Sequence, residues 1–441
     1  MSFPSLKLRL ALAVYQALWR VGTPLAARYI AKRAAKDADY GLHLPERYGR
    51  YDRTDPGGAV WIHAVSLGEF RSALPLIRLL LARDERVVIT HFTPAGRRES
   101  ERVLAGDIAA GRVRVVWVPF DSGPCLRRFL AAFRPKFGLV MEIEIWPGMI
   151  MAARRAGVPL FMCNAQYPSK SLARDKGGLR AELMCGFAGA FVKSDLQRDR
   201  FALVGVANIH VTGETRFDQP IPPAQVAAGQ AARGWLTAER PVIALASVVA
   251  GEDETYLAAM SASLAAHRAQ GLPVPLFVYV PRAPERFNET AGLIAARGLK
   301  AARRGVLFSD DMQGQGTAPD IDILIGDSLG EMYFYLSMAE RALVGGGFTP
   351  KGAHNIIEPL ALKKPVIVGP DIHTIEYPAV EAIAAGVCLY LQTPDDLIRA
   401  FGPDGWQGPP DGAIDGFLAA HSGAALRTVQ ALEDQGLLTS R

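Results

Sequence analysis

The tetrapeptide SLGE occurs twice and places a glutamate in the same local setting at two distant points of the chain. The first copy ends at Glu69, in VWIHAVSLGEF, and the second ends at Glu331, in ILIGDSLGEMYF. Each follows an apolar run typical of a buried strand and precedes a helical pattern, so we expect each glutamate to enter the first turn of a helix. Ligands bind at the carboxyl ends of strands in open α/β sheets, and the two copies therefore predict two half-sites. Plain helix capping is the alternative.

A second group of chemically useful residues lies in ALVGGGFTPKGAHNIIEPL. Three glycines, residues 345–347, follow a predicted strand and would let a ligand approach the backbone. Asn355 and Glu358 stand three residues apart at a predicted helix start, where N–H groups suit a phosphate and a carboxylate can accept from a ribose diol. A Rossmann dinucleotide site is the alternative, but no GxGxxG opens the first strand–helix unit of either half of the chain.

The sequence predicts no metal site. Asp320 and Asp322 form a DxD-like pair in APDIDILIG, but the pair stands at the entry to a strand and is typical of a solvated turn. The cysteines are far apart and form no CxxC pair, which argues against structural zinc and fits a reducing cytoplasm. The four cysteines are Cys125, Cys163, Cys185 and Cys388.

Regularly alternating elements position these residues. From Ala59 onward, β-rich runs such as AVWIHAV, RVVITHF and FGLVMEI alternate with helical patterns such as residues 70–83. This alternation is typical of parallel sheets that are covered by helices on both faces. The chain has 441 residues, which is too long for one ordinary core and predicts at least two domains.

The alternation pauses once, in RFDQPIPPAQVAAG. Three prolines there stop regular structure and predict a linker over residues 218–229. It then restarts with PVIALAS, PLFVYVP and IDILIG. We therefore expect two doubly wound α/β domains, residues 37–217 and 230–441, the second with a returning C-terminal helix.

Positive charge is concentrated in residues 1–36, which contain seven Lys and Arg and no acidic residue, whereas the whole chain has a net charge of +5. Their longest uncharged stretch, residues 10–19, is too short to span a bilayer, and no signal-peptide cleavage site follows. The segment predicts an amphipathic helix on an anionic membrane surface, with packing on the body of the protein as the alternative. The rest of the chain is slightly acidic and has no basic stripe with interleaved aromatics, so nucleic-acid binding is not expected.

The chain resembles the 3-deoxy-D-manno-octulosonic acid (Kdo) transferases of lipid A assembly. The resemblance rests on motifs that occur in the family's order over most of the chain: LPERYG, HAVSLGEF, FLAAFRPKFGLVMEIEIWP, VTGETRFD, VYVPRAPERF, IGDSLGEMYFYLSMAERALVGGGF and GAHNIIEPLALKKPVIVGP. It implies the GT-B fold, with two Rossmann-like domains facing a central cleft. It also implies inverting, metal-independent transfer of Kdo from CMP-Kdo, with no other cofactor, to a lipid A precursor at the cytoplasmic face of the inner membrane.

The resemblance also implies roles for individual residues. Glu69 would be the general base that takes the proton from the acceptor hydroxyl, and Glu142 and Arg216 would stabilise the transition state. Glu144 is interpreted as a structural carboxylate that orients its loop. The positions that match CMP-binding residues are Pro281, Arg282, Leu329, Gly330, Glu331, Asn355, Ile356, Ile357 and Glu358.

Three segments depart from the family's pattern. In NAQYPSKS, Gln166 and the lysine four residues later replace arginines, which present different hydrogen-bond donors. In SVVAGE, Val248 and Val249 occupy the threonine and histidine positions. Arg216 stands where lysine is usual, after an unusual Glu214. These changes leave open a different ulosonic acid donor, a different acceptor or a weakly active paralogue.

Two further functions remain alternatives. One is a GT-B transferase or epimerase that uses a UDP-sugar, against which VPRAPERF together with HNIIEP favours the CMP-ulosonate group. The other is a membrane-bound protein that binds a lipid headgroup or nucleotide without catalysis. The changes at Gln166, Val248 and Val249 keep that second alternative open.

Overall fold

The computed structural model describes residues 3–52, 56–175, 177–237 and 239–439. The chain forms two compact units: unit 1 comprises Met1–Gln219 and Ser422–Arg441, and unit 2 comprises Pro220–His421. Each unit contains one seven-stranded parallel sheet with helices between its strands. The two α/β sheets predicted from the alternation are therefore present.

The first seven strands of the chain form the sheet of unit 1, and at least one helix separates each strand from the next. They are β1 (Val60–His63), β2 (Val87–His91), β3 (Val113–Trp117), β4 (Phe137–Met141), β5 (Leu160–Ala165), β6 (Gly189–Val192) and β7 (Ile209–Val211). Their order is β3-β2-β1-β4-β5-β6-β7, and Val60 pairs with Val87 on one side and Phe137 on the other. The central strands are buried on both faces, which explains why they appear in the sequence as continuous apolar runs.

Among the described residues, ten α-helices lie along the first 203 residues of unit 1. They are α1 (Leu6–Ala34), α2 (Leu44–Arg47), α3 (Leu67–Ala82), α4 (Pro94–Val103), α5 (Ala105–Ala109), α6 (Gly123–Phe133), α7 (Pro147–Arg155), α8 (Ser169–Asp175), α9 (Leu179–Met184) and α10 (Asp195–Leu203). Aromatic side chains such as Trp61, Phe129 and Phe133 fill the core on one face of the sheet, whereas Phe70, Leu76 and their neighbours fill it on the other.

Unit 2 repeats this plan. Its strands are β8 (Val242–Val248), β9 (Leu276–Pro281), β10 (Ala301–Arg303), β11 (Ile323–Ile325), β12 (Arg341–Val344), β13 (Val366–Val368) and β14 (Cys388–Tyr390), in the order β10-β11-β9-β8-β12-β13-β14. Its helices are α11 (Pro223–Leu236), α12 (Asp253–Ala269), α13 (Phe287–Ala296), α14 (Arg304–Leu307), α15 (Met332–Met338), α16 (Ile357–Ala361), α17 (Glu376–Ala384), α18 (Pro394–Phe401) and α19 (Ala413–His421).

The structure differs from the expected linker over residues 218–229. Residues 219–222 are irregular, but α11 begins at Pro223 and continues to Leu236. Proline is favoured at the first position of a helix, because the N–H that it lacks has no intrahelical partner there. The run of prolines therefore ends the first unit and starts a helix of the second.

The last helix of the chain, α20 (Ala424–Asp434), belongs to unit 1 and not to unit 2. Its Val429 and Leu432 share an apolar cluster with Leu76 of α3. The Asp218 carboxylate accepts hydrogen bonds from the N–H groups of Gly423 (2.5 Å) and Ala425 (2.7 Å). The second unit therefore ends at His421, before the helix that returns.

Candidate functional site

The first SLGE copy forms the start of α3. Ser66 caps the helix, its Oγ accepting from the N–H of Glu69 (3.3 Å). The Glu69 carboxylate in turn accepts from the N–H of Val65 (2.7 Å) and from the Ser66 hydroxyl (3.1 Å). Glu69 thus lies in the first turn, as predicted, and its carboxylate also helps to cap the helix.

The surroundings of Glu69 favour its protonated form. Burial raises the pKa of Glu69 to about 8, and the carboxylates of Glu144 and Glu142 add to the rise, against hydrogen bonds from Val65 and Ser66 that lower it. A carboxylate with a pKa near the working pH is a stronger base than an ordinary surface glutamate, while a substantial fraction of it is still ionised.

Glu142 lies directly after β4, in a network of buried charges. Its carboxylate accepts hydrogen bonds from Asn164 Nδ2 (3.1 Å), Arg216 Nη2 (3.3 Å) and Lys193 Nζ (3.1 Å). Glu142 and Asn164 both have left-handed backbones, with φ of 57° and 56°. Non-glycine residues adopt this conformation only where their surroundings enforce it, and such positions cluster at functional sites. The structure therefore brings together Glu142 and Arg216, the two residues predicted to stabilise a transition state.

Glu214, the unusual residue before Arg216, also belongs to this network. Its carboxylate lies 2.7 Å from Lys193 Nζ and accepts from Asn164 Nδ2 at 2.8 Å. Burial opposes the charged form of Glu214, but Lys193 and Arg216 more than offset that effect and hold its pKa below the ordinary value. The unusual glutamate is therefore ionised and is paired with a buried lysine.

Lys193 and Asn164 were not among the residues predicted from the sequence. Lys193 is buried immediately after β6, and Asn164 is buried within β5. The signal that would have found them is their position at the carboxyl ends of β5 and β6, which come after β4 in the sheet, where the side chains of an open parallel sheet meet ligands.

Arg216 also connects its loop to α3. Its Nε donates to Ser72 Oγ (2.8 Å), one turn after Glu69. On the other side of the cluster, Trp146 Nε1 donates to the Glu144 carboxylate (2.8 Å). This hydrogen bond lies within the loop that joins β4 to α7, and the role of Glu144 as a structural carboxylate stays a prediction.

The second SLGE copy is arranged differently from the first. Helix α15 begins only at Met332, so Glu331 stands before the helix and the expectation that it enters the first turn is wrong. Gly330 has a left-handed backbone (φ 79°), and both Glu331 oxygens pair with the buried Arg304 at 2.7 and 2.8 Å. The Ser328 hydroxyl also donates to this carboxylate (2.5 Å). The ion pair with Arg304 holds Glu331 immediately before the helix and offsets the negative charge of its carboxylate.

The glycine-rich loop after β12 is held by a buried carboxylate. Glu252 accepts from the N–H groups of Gly346 (2.7 Å) and Phe348 (3.2 Å), from the Tyr256 hydroxyl (2.6 Å) and from the N–H of Val249 (3.1 Å). Because these bonds use both of its oxygens, Glu252 joins the end of β8 to the loop. Val249, at the family's histidine position, is buried and contributes its backbone.

The glycines of this loop have a packing reason that the sequence did not reveal. A Cβ on Gly345 would lie 2.6 Å from the Ser247 carbonyl oxygen, and one on Gly347 would lie 2.7 Å from the Gly369 nitrogen. Neighbouring backbone therefore already excludes side chains at both positions, whether or not a ligand approaches.

The remaining predicted nucleotide positions lie around this loop. Arg282 follows β9, and its N–H donates to the Val248 carbonyl (2.9 Å). Asn355 Oδ1 accepts from the N–H of Ile357 (3.0 Å) at the start of α16. Ile356 and Ile357 are buried. Leu329 and Gly330 are exposed after β11. All of these segments follow β11, β9, β8 or β12, which are adjacent in the sheet.

His354 is a third residue to which no role was predicted from the sequence. Burial lowers its pKa to about 4, and the charges of Arg282 and Lys351 add to the effect. Its Nε2 is buried without a hydrogen-bond partner in the described part of the chain. A neutral imidazole beside Arg282 is suited to a hydrogen bond with a bound ligand.

Carboxylates elsewhere in unit 2 are paired with cations. Asp320 contacts Lys300 (2.6 Å) and Asp322 contacts Arg268 (2.6 Å) at the entry to β11. Within residues 3–52, 56–175, 177–237 and 239–439, no three His, Cys, Asp or Glu side chains are grouped as metal ligands would be.

Comparisons with known proteins agree on one family. The family model described as 3-deoxy-D-manno-octulosonic-acid transferase (kdotransferase) matches residues 42–219. A 3-deoxy-D-manno-octulosonic acid transferase of Bordetella pertussis is 39% identical over 436 residues, covering 96% of this chain and 98% of the relative. One from Haemophilus influenzae is 31% identical over 400 residues, covering 88% of each.

Solved structures with low sequence identity share the fold. A glycosyltransferase from Rickettsia africae ESF-5 matches with a TM-score of 0.56 and 12% identity, covering 88% of this chain and 100% of that one. A putative UDP-N-acetylglucosamine 2-epimerase from Listeria monocytogenes matches with a TM-score of 0.56 and 15% identity, covering 87% and 98%. The expected GT-B fold class is confirmed.

Replacing Glu252 with alanine should loosen the glycine-rich loop. The N–H groups of Gly346 and Phe348 would lose their acceptor, so we expect the free energy of unfolding of unit 2 to fall by about 1–3 kcal/mol or more. Amide hydrogen exchange at both residues should accelerate. Glu254→Ala is the matched control, because the Glu254 side chain is on the same helix and 84% exposed. Unchanged exchange at residues 346 and 348 in Glu252→Ala would contradict this assignment.

Proposed function

Because the chain belongs to the 3-deoxy-D-manno-octulosonic acid (Kdo) transferase family and is therefore a glycosyltransferase, we propose that it moves Kdo from CMP-Kdo to a lipid A precursor with inversion at the anomeric carbon. Glu69 is the general base of this proposal. The observation that supports it most directly is the environment of Glu69, a half-buried carboxylate in the first turn of α3 with a pKa raised to about 8.

The proposed reaction is a single displacement. The acceptor hydroxyl gives its proton to the Glu69 carboxylate while its oxygen forms a bond to the anomeric carbon of Kdo, and the bond from that carbon to the CMP phosphate breaks. One displacement from the opposite face inverts the configuration. The N–H of Val65 and the hydroxyl of Ser66 orient the Glu69 carboxylate for this proton transfer.

Arg216 and Glu142 stabilise charge in this proposal. Ser72 and Glu142 hold the Arg216 guanidinium in place before any substrate arrives. Lys193 and Asn164 hold Glu142 in turn. A cation fixed in advance stabilises developing negative charge more effectively than a mobile one, because it does not have to reorganise during the reaction.

The donor half of the proposal lies in unit 2. Arg282 and the backbone N–H groups at the start of α16 would bind the CMP phosphate, and Glu358 would accept hydrogen bonds from the ribose. The role of Glu331 differs from the CMP contact that the resemblance implies. Since Arg304 pairs with its carboxylate, we propose that Glu331 holds the turn of Leu329 and Gly330 and does not contact CMP directly. Arginine and N–H donors can stabilise the leaving phosphate, and the proposal therefore invokes no metal ion.

We further propose that α1 holds the protein at the cytoplasmic face of the inner membrane. Leu8 and Ile30 of α1 are buried against the body of unit 1. Opposite them runs a stripe of exposed apolar side chains, each 50–78% exposed, which we call the apolar stripe: Leu6, Leu10, Val14, Leu18, Val21, Leu25 and Tyr29. Their spacing of three or four residues places them on one face of the helix. The cations of α1 and the absence of acidic side chains there suit anionic headgroups.

This arrangement accommodates both interpretations of the N-terminal segment, since one face of α1 packs on the protein and another is exposed. In the described part of the chain, no helix combines the length and apolarity that a membrane crossing requires. The stripe is therefore proposed to lie in the interface plane, with Lys7 and Lys32 near its two ends meeting lipid phosphates.

Glu69→Gln should lower kcat for Kdo transfer by about 10²–10⁴-fold, the usual contribution of a general base, and leave the KM for CMP-Kdo nearly unchanged. The assay uses CMP-Kdo generated in place and a tetraacylated lipid A precursor in detergent. Glu101→Gln is the control, because Glu101 is a partly exposed carboxylate on α4. Its partner Arg97 still has its ion pair with Glu46 in this variant.

A Glu69→Gln enzyme that retains more than a third of the native kcat would refute the assignment of the base. If the native enzyme gives no product, thermal shifts with CMP and with UDP identify the failing part. Stabilisation by CMP alone would mean that the sugar or acceptor is wrong, and stabilisation by UDP alone would favour the UDP-sugar alternative.

The raised pKa of Glu69 predicts an acidic limb in the pH dependence of transfer. The base must be ionised to accept a proton, so log kcat/KM should rise with a slope of one and level off near pH 8. Glu144→Gln removes a neighbouring negative charge and should move this limb to lower pH. Glu101→Gln should leave it in place. A limb near pH 4.5, the ordinary range of a glutamate, would show that Glu69 is not the titrating base.

Replacing Leu10, Leu18 and Val21 together with glutamine should weaken binding to phosphatidylglycerol vesicles at least tenfold, since burying one such side chain contributes about 1.5–3 kcal/mol. The control replaces Leu196, Leu203 and Val211, which are also exposed apolar residues of unit 1 outside α1. Cosedimentation measures both, and added salt should weaken native binding. Equal binding by the two triple variants would remove the apolar stripe from the membrane proposal.

A further inference from the structure

A cavity of about 400 Å³ lies between α1 and the body of unit 1, apart from the charged cluster around Glu69. We call it the aromatic pocket; the residues that define it are Trp19, Tyr29, Arg47, Phe92, Phe120 and Trp146. Its size is within the range of pockets that bind small molecules, and its lining is mostly aromatic and apolar. The proposed reaction leaves this pocket without a role.

Arg47 provides a polar feature in the aromatic pocket. This arginine is only 1% exposed, and burial lowers its pKa to about 10, so it remains charged at neutral pH. Its guanidinium stacks over Trp117 and Phe92 (4.3 and 5.0 Å to the ring centres), and Nη2 donates to the Phe92 carbonyl (3.0 Å). Nε is buried and has no hydrogen-bond partner among the described residues. An unsatisfied buried donor is costly, and a ligand oxygen would satisfy it.

The inner wall of the aromatic pocket adjoins the proposed base. The N–H of Phe92 donates to the Val65 carbonyl (3.1 Å), and the N–H of the same Val65 donates to Glu69. Trp146 packs against Phe92 (6.3 Å between ring centres) and donates to Glu144. A ligand in the pocket would therefore lie behind the residues that orient the base.

The outer end of the aromatic pocket reaches the apolar stripe of α1. Tyr29 is half exposed, is the last member of that stripe and also lines the pocket. Apolar surface thus continues from the face proposed to meet lipid into the cavity.

Asp121, which also lines the pocket, does not offer a second open polar group. Its carboxylate accepts from the Tyr15 hydroxyl (2.8 Å) and from the N–H groups of Gly148 and Met149 (both 2.7 Å). The side chains of the pocket therefore combine a large apolar surface with one unsatisfied cationic donor.

We propose that the aromatic pocket binds one acyl chain of the lipid acceptor, with the ester or amide carbonyl oxygen of that chain accepting a hydrogen bond from Arg47 Nε. The inference rests on the proposed function and extends it, because it names a second binding site for the same substrate. An acyl chain matches the apolar lining, and the carbonyl at its attachment point matches the single donor. A chain of the acceptor, unlike one of a bulk phospholipid, also explains why the pocket adjoins the Glu69 loop.

Filling the pocket tests this proposal. Ala26 lines it, so Ala26→Phe should occupy part of its volume, whereas Ala31→Phe places the same side chain at an exposed position of the same helix outside it. We expect Ala26→Phe to raise the KM for a tetraacylated acceptor at least tenfold and to leave the KM for CMP-Kdo and vesicle binding unchanged. A fully deacylated acceptor should react equally with both variants and with the native enzyme. Equal KM values for the tetraacylated acceptor in the two variants would overturn the proposal.

A binding measurement that does not depend on transfer separates this proposal from the proposed function. Trp19 and Trp146 line the pocket, so an acceptor lipid with brominated acyl chains should quench their fluorescence in the native protein and in Ala31→Phe, and at least twofold less in Ala26→Phe. Brominated phosphatidylglycerol should show no difference between the variants. A difference with the phospholipid as large as with the acceptor would assign the pocket to bulk lipid and overturn the proposal. Variant-dependent quenching by the acceptor without any transfer would support the pocket and refute the proposed function.

Discussion

The candidate chemistry of unit 1 depends on the ion pairs that the buried ammonium of Lys193 forms with Glu142 and Glu214. This lysine lies between the partly exposed Glu142 and the buried Glu214, which otherwise would be two unpaired carboxylates side by side with Glu69 and Glu144 close by. Removing a buried partner of this kind leaves an uncompensated charge, whose cost is several kcal/mol. Glu142 accepts hydrogen bonds from both Lys193 and Arg216, while the carboxylates of Glu142 and Glu144 raise the pKa of Glu69.

In unit 2 a buried carboxylate has the same structural role. Glu252 accepts hydrogen bonds from the backbone of the glycine-rich loop and from the residue after β8, and Arg304 pairs with Glu331 before α15. In both units a buried side chain, Lys193 in unit 1 and Glu252 in unit 2, fixes the loops at the carboxyl ends of the strands, where the fold places ligands. The two SLGE copies show how the same four residues serve different ends: one glutamate keeps its basicity and the other is neutralised as a structural anchor.

Most of the fold could be predicted from the sequence, because strands buried on both faces leave continuous apolar runs between helical patterns. The differences between the predicted and the observed elements are local. Pro223 begins a helix instead of ending one, and residues 424–434 return to unit 1, because contacts with Leu76 and Asp218 that are distant in sequence decide their partner. In the candidate site, the motif resemblance indicated Glu69, Glu142 and Arg216 as functional residues. It missed Lys193 and Asn164, because single polar residues at strand ends have no pattern, and it missed the pairing of Glu331, because Arg304 precedes it by 27 residues.

The return of α20 to the first unit has a consequence for biosynthesis. The α3 face that packs against Val429 and Leu432 lacks these partners until unit 2 has been synthesised, since those residues follow the whole of unit 2 in the chain. The first unit to be made is thus the last to be finished, and its apolar α3 face remains open to chaperones or to neighbouring nascent chains throughout the synthesis of the second. A chain that stopped after His421 would therefore leave the core of unit 1, which contains the proposed base, incomplete, although every residue of unit 2 would be present.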